Sequence, residues 1–123
     1  MSLPGPASAV LSHDQRIHHS ADFTVALRGG RRFAHGAVVF HLGIAPDTDR
    51  RCGFIVSKAV GGSVQRHRVT RRLRHVCSDV YPQLPTGARL VVRALPAAAQ
   101  TSYADLRASA EAFLGSDAVR RAR

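Results

Sequence analysis

Acidic residues are scarce in this chain. Eight Asp and Glu stand against 18 Lys and Arg in 123 residues, a net charge of +10 with a pI near 11.5. So few carboxylates argue against an independent nuclease built on clustered acids and metal ions. The one close pair, Asp47 and Asp49, lies in a loop where solubility accounts for it. Tryptophan is absent, and the basic segment lacks the bulky apolar face of an interfacial membrane helix. No apolar run approaches the ~20 residues that span a bilayer. The opening MSLPGPASAVLS has no basic segment and is interrupted by Pro and Gly, unlike a secretory signal, so a cytoplasmic location is expected. Cys52 and Cys77 have no CxxC and no His at zinc spacing, and they read as buried free thiols. His18 and His19 are adjacent and read as surface residues, whereas His35 and His41, if they sit on one sheet with opposite parity, cannot meet. Walker, GxSxG and HExxH motifs are missing, as are the KH loop and the aromatic strand of an RRM. Neither catalytic nor metal-ligating residues are assigned.

What is present is concentrated charge. The stretch Arg50 to Ser78, RRCGFIVSKAVGGSVQRHRVTRRLRHVCS, holds eight of the 18 basic residues and no acid. It reads as a strand ending in Ser57-Lys58, a breaker at Gly61-Gly62, Ser63 in the position of a helix N-cap, and a periodic helix from Val64. At about 100° per residue, Val69, Leu73, Val76, Cys77 and Val80 share one third of the helix circumference and will seek a core. His67, Arg68, Arg71, Arg72, Arg74 and His75 occupy the opposite side. Arg66 shares the apolar azimuth, but in the first turn its side chain can leave past the helix end. Cations near a helix N-terminus oppose the dipole at a cost of a few tenths of a kcal/mol. No Asp or Glu stands three or four residues from Arg66 through Arg74 to relieve them. A phosphate backbone resolves both conflicts, so nucleic acid is the expected partner class.

The size suits a single compact domain. Residues 1–15 read as a disordered arm, 16–115 as the domain and 116–123 as a frayed basic tail. Ser20 reads as the N-cap of a short helix over 21–28, with Phe23 and Leu27 in one apolar stripe. Strands are expected over 31–33, 37–42, 52–57 and 89–94, the second and third pairing as an antiparallel hairpin across the 43–49 loop. Ser102 caps a last helix bearing Leu106, Ala110, Phe113 and Leu114, with Gly115 beyond its end. The fold class is α+β: a small two-layer sandwich in the order αβββαβα, with a mixed sheet of three or four strands and three helices.

The segment Phe54 to Arg74, FIVSKAVGGSVQRHRVTRRLR, closely resembles the bacterial ribonuclease P protein subunit, in which a strand ending in Ser-Lys, a glycine turn and a helix opening Arg-Asn-Arg follow one another. The likeness runs from about Leu11 to Leu114, taking in Arg16-Ile17, Asp22-Phe23, Gly29-Gly30, Arg93-Ala94 and Pro96. It departs where His67 replaces the usual Asn and Thr70 a frequent Lys. The resemblance implies a left-handed strand-helix-strand crossover. It also implies a tRNA-processing endoribonuclease in which a catalytic RNA subunit, holding Mg²⁺, removes the 5′ leader of precursor tRNA, with one protein per RNA. It maps RNA-subunit contacts onto Ser57, Lys58, Arg66, His67, Arg68, Arg71, Arg72 and Arg74, and leader contacts onto Phe23, Leu27, Val39 and His41. An aromatic is more usual at the places held by Leu27 and His41, so the resemblance implies that stacking on leader bases is either weaker here or carried by the imidazole. The rival from another class is a structural nucleic-acid binder, ribosomal or DNA-associated.

Overall fold

The strand ARLVVRA, Ala88–Ala94, is apolar on both of its faces, which suits it to the middle of a sheet. The computed structural model, which describes residues 11–122, places it there. Strands β1 (Arg31–His35), β2 (Val38–Ile44), β3 (Arg51–Ile55) and β4 (Ala88–Ala94) form one sheet in the order β1-β2-β4-β3. β1 and β2 form the hairpin, β2 and β4 are antiparallel, and β3 runs parallel to β4. The hairpin expected between β2 and β3 is therefore not formed. With side chains to bury on both faces, β4 takes the place between them, and the loop from 45 to 50 passes across its end.

The helices are α1 (Ser20–Arg28), α2 (Ser63–Val80), α3 (Tyr103–Leu114) and α4 (Asp117–Arg120). The anticipated two layers are the sheet and the α2–α3 pair. Val38, Phe40, Leu42, Leu90 and Val92 point into this core, and the α2 stripe of Val69, Leu73, Val76, Cys77 and Val80 is buried against it as its spacing requires. Phe40 and Phe113 stack there with centroids 4.6 Å apart. Ser102 caps α3 by accepting the Asp105 amide at 3.1 Å. Both cysteines are buried free thiols, and the interaction with Cys52 together with burial pushes the Cys77 thiol up.

On the reverse face α1 builds a second, smaller core from Ile17, Ala26 and Val91, with Phe23 and Ile55 against it. Two glycines allow the approach. A Cβ on Gly43 would lie 2.0 Å from the Val25 carbonyl oxygen, and one on Gly53 would lie 2.9 Å from the Phe23 ring. Gly43→Ala should therefore push α1 off the sheet and cost about 1–3 kcal/mol, the usual range for overpacking. Urea unfolding monitored by circular dichroism checks this, and an unchanged midpoint would refute the close approach.

Other boundaries differ from expectation. α1 begins at Ser20 with His19 as its N-cap, and the Ser20 carbonyl accepts the Thr24 hydroxyl at 3.1 Å. The arm read over 1–15 lies mainly outside the described residues, but its last part is structured. Leu11 is buried in the main core, and His13–Gln15 form a short 3₁₀ turn in which the Ser12 amide donates to Gln15 Oε1 at 2.9 Å. The tail read as frayed folds into α4, a fourth helix, because Val119 has core to bury.

One ionic feature ties α1 to the sheet. Arg89, at the start of β4 and only 3% exposed, donates from Nε to Asp22 Oδ1 at 2.8 Å and from Nη2 to Asp47 Oδ2 at 2.7 Å. Its Nη1 donates to the Asp49 carbonyl at 2.7 Å. Burial alone would lower the guanidinium pKa, but the bonds from Asp22 and Asp47 raise it. Asp47 is thus half of a clamp and not a solubilising loop residue.

Candidate nucleic-acid interface

α2 starts at the double glycine because Gly61-Gly62 breaks the chain and the apolar stripe then drives a helix onto the sheet. Ser63, expected as the N-cap, is instead the first helical residue and Gly62 is the cap, so no side chain caps the helix, and its first turn carries no acid. Among the described residues none of Arg66, Arg68, Arg71, Arg72 and Arg74 forms an ion pair. The acids are engaged elsewhere: Asp22 and Asp47 with Arg89, Asp79 and Glu111 with Arg107, Asp117 with Arg120. The one acid on α2, Asp79, sits near its C-terminal end and faces Arg107 of α3 at 3.0 Å.

Arg66, His67, Arg71 and Arg74 line one groove together with Val56, Ser63 and Thr70. Arg68 joins His67 and Arg71 around the exposed Val64 on the adjoining side. Arg66 is half-buried in the groove lining, and its Nε has no hydrogen-bond partner among the described residues. Arg72 does not belong to this group, since its Nη1 donates to the Thr101 carbonyl at 3.2 Å on the α3 side. Ser57 and Lys58 are in the turn before α2, where the Ser57 Oγ accepts the Ala59 amide at 3.3 Å and the Lys58 carbonyl accepts the Gly61 amide at 3.2 Å. That turn holds the exposed Lys58 ammonium close in sequence to the helix start but outside the groove.

The second group is less uniform. Phe23 is half-buried against Gly53, and Leu27 is 45% exposed, so the α1 stripe is split between core and surface. Val39, at 2% exposure, is buried and offers no surface. His41 is half-buried and lies directly opposite Arg32 on β1. Burial, then the charges of Arg93 and Arg32, lower its imidazole pKa, so at neutral pH it presents one donor and one acceptor. Arg32 and Arg93 complete a cationic row with His41 on the α1 face of the sheet, as strand alternation requires. Alternation could have put Arg32 on the face of His41 across the β1–β2 hairpin, but Arg93 joins them only through the β2–β4 pairing, which has no local sequence signal.

A third set of residues joins the two groups. Arg16, His18, Phe23, Phe54, Thr70 and Arg74 surround a pocket of about 280 Å³ at the β3 edge. Thr70 and Arg74 also line the α2 groove, so the basic helix and the α1 side are continuous. Arg16 arrives there through its parallel bridge to Cys52, a long-range pairing with no local sequence signal. Among the described residues no three His, Cys, Asp or Glu gather to hold a metal ion, and no helix is long and apolar enough to cross a membrane.

The sequence and the fold are similar to those of known proteins. The family model for Ribonuclease P matches residues 11–116. The ribonuclease P protein component of Salinispora tropica is 42% identical over 93% of this chain and 98% of its own. That of Acidothermus cellulolyticus is 46% identical over 81% and 85%. Among solved structures, the Staphylococcus aureus RNase P protein superposes with a TM-score of 0.69 at 25% identity, covering 82% of this chain and 93% of that one. The Thermotoga maritima RNase P protein, at 17% identity, shares the fold with a TM-score of 0.69 over 80% and 94% of the two chains. The chain belongs to the family of ribonuclease P protein components.

Proposed function

We propose that α2 seats this chain on the catalytic RNA subunit of ribonuclease P, one protein per RNA, and that the face shared by α1 and the sheet guides the single-stranded 5′ leader of precursor tRNA. The RNA performs the endonucleolytic step and holds the Mg²⁺, and this chain supplies cations and a track. The observation that carries the reading is the continuity of an arginine groove without carboxylates and the Phe23 side of the sheet, through Thr70 and Arg74. Unpaired guanidiniums suit bidentate phosphate contacts. On the α1 face of the sheet, a half-buried aromatic, a neutral imidazole and two arginines suit unstacked bases. In this division Arg66, His67, Arg68, Arg71 and Arg74, with Ser57 and Lys58, face the RNA subunit. Phe23, Leu27 and His41 face the leader, joined by Arg32 and Arg93. Val39 acts from beneath by supporting that surface.

Reconstitution with a bacterial ribonuclease P RNA tests this directly. Precursor tRNA should bind at least about tenfold tighter with a leader of several nucleotides than with a minimal one when the protein is present, a difference of ~1.4 kcal/mol. The RNA alone should show no such dependence. Equal affinity for random duplex DNA with no leader dependence would support the structural binder instead.

A further inference from the structure

We infer that the open edge of β3 at Phe54 is a nucleotide subsite, where main-chain groups hydrogen-bond the edge of one unpaired base whose phosphate lies between Arg16 and Arg74. This deepens the proposed function and rests on it for the class of ligand.

The Ile17 amide donates to the Cys52 carbonyl at 2.8 Å, so Cys52 directs its main-chain groups away from β4, toward the free edge. Two residues on, Phe54 directs its N–H and C=O the same way. The chain segment that covers Cys52 does not continue alongside Phe54, because after Ile17 it departs into α1. Among the described residues the edge-facing groups of Phe54 have no hydrogen-bond partner. An unpaired edge is a template for another donor-acceptor pair.

The surroundings select the occupant. A phosphate or carboxylate only accepts, and it would satisfy the N–H while opposing the C=O. The Watson–Crick edge of a base has a donor and an acceptor side by side and satisfies both. A peptide strand would do so too, but the rim is cationic. Arg16 and Arg74 flank the edge, each with a buried Nε that has no partner, and no carboxylate lines the pocket. The Phe23 ring, packed on Gly53, supplies an aromatic wall. The pocket, of about 280 Å³, shares Thr70 and Arg74 with the α2 groove. These features fit a nucleotide with its charge on the arginines and its base on the strand. Every base has a donor-acceptor edge, so the subsite senses an unpaired base and not its identity.

Hydrogen exchange at the Phe54 amide reads this out, because Gly53 and Ile55 are already bonded to β4 and change little. In the full chain labelled with ¹⁵N, a short single-stranded oligouridylate at saturation should slow Phe54 N–H exchange by at least about tenfold. Arg74→Gln should weaken that effect while leaving the free protein's spectrum intact elsewhere. Exchange mass spectrometry on the reconstituted ribonucleoprotein then separates the sources. Protection with the RNA subunit alone assigns the base to that subunit, and protection only after adding precursor tRNA with a leader assigns it to the leader; either supports the subsite. Leader-dependent affinity with Phe54 unprotected in both arms would overturn the subsite and leave the proposed function standing. Protection that rises with protein concentration in the absence of RNA would overturn it in favour of strand pairing between two copies.

Discussion

Arg89→Ala is expected to destabilise the protein by about 3–5 kcal/mol, the range for removing one partner of a buried ionic cluster. At this chain length that lowers the melting temperature by on the order of 10–20 °C. The size of the effect follows from what is left behind. Asp22, with its side chain 16% exposed, loses its counter-charge, and the Asp49 carbonyl loses the Arg89 donor, whereas the Gly87 carbonyl keeps the Ala45 amide. Arg89→Lys should recover only part of the loss, since a single ammonium cannot reach both carboxylates and the carbonyls in the fork geometry of a guanidinium. The clamp also predicts an acid response. The Arg89 hydrogen bond holds the Asp47 carboxyl below its ordinary value. Its contribution is therefore complete above the usual carboxylate range and fades as pH falls through the lowered value. Asp47→Asn should flatten that portion of the acid limb in thermal melts taken from neutral pH downward. Equal melting temperatures for the wild type and Arg89→Ala would remove the clamp from the account of stability.

The second large effect concerns assembly and leaves the fold alone. The combined change of Arg66, Arg71 and Arg74 to Ala should weaken binding to ribonuclease P RNA by about tenfold per residue if each charge-assisted hydrogen bond contributes ~1.4 kcal/mol. The slope of log affinity against log salt should fall by roughly two to three, near 0.7–0.9 for each phosphate that is no longer neutralised. Thermal stability should hold or rise slightly, because the three side chains form no ion pair within the described residues and Arg66 stands in an uncapped helix start that holds no acid. Arg72→Ala is the internal contrast. Its guanidinium is bonded to the Thr101 carbonyl, so it should change the salt slope little. An unaltered slope in the triple variant would show that these arginines do not meet phosphates.

The contrast between Arg72 and its neighbours shows how far residue spacing reaches. Position on the α2 wheel was enough to separate the buried stripe from the cationic side, because both depend on the local 3.6-residue period. It could not separate Arg72 from Arg71, since that depends on α3 and the turn before it packing alongside. Phe23 and Leu27 give the same lesson. Four residues apart, they look equivalent, but only Phe23 meets Gly53 and the second core, while Leu27 projects beyond it. Val39 carries a family position to a buried place for the same kind of reason: strand parity puts it on the α1 face, and burial there is set by neighbours distant in sequence.

Charge distribution, the α2 stripe, the Ser102-capped α3 and the Ser57-Lys58-glycine turn that marks the family were all determined by the amino-acid sequence alone, because each is written within a few turns of chain. Strand order was decided by the tertiary structure: β4 enters between β2 and β3 because its side chains need burial on both faces, and no local pattern states who its neighbours are. The same holds for the pocket of Arg16, Phe54 and Arg74 and for the clamp, in which Arg89 reaches across 67 residues to Asp22 and 42 to Asp47. Pairings over such separations exist only once the sheet has closed, which is why the basic face is legible in the chain and the path leading to it is not.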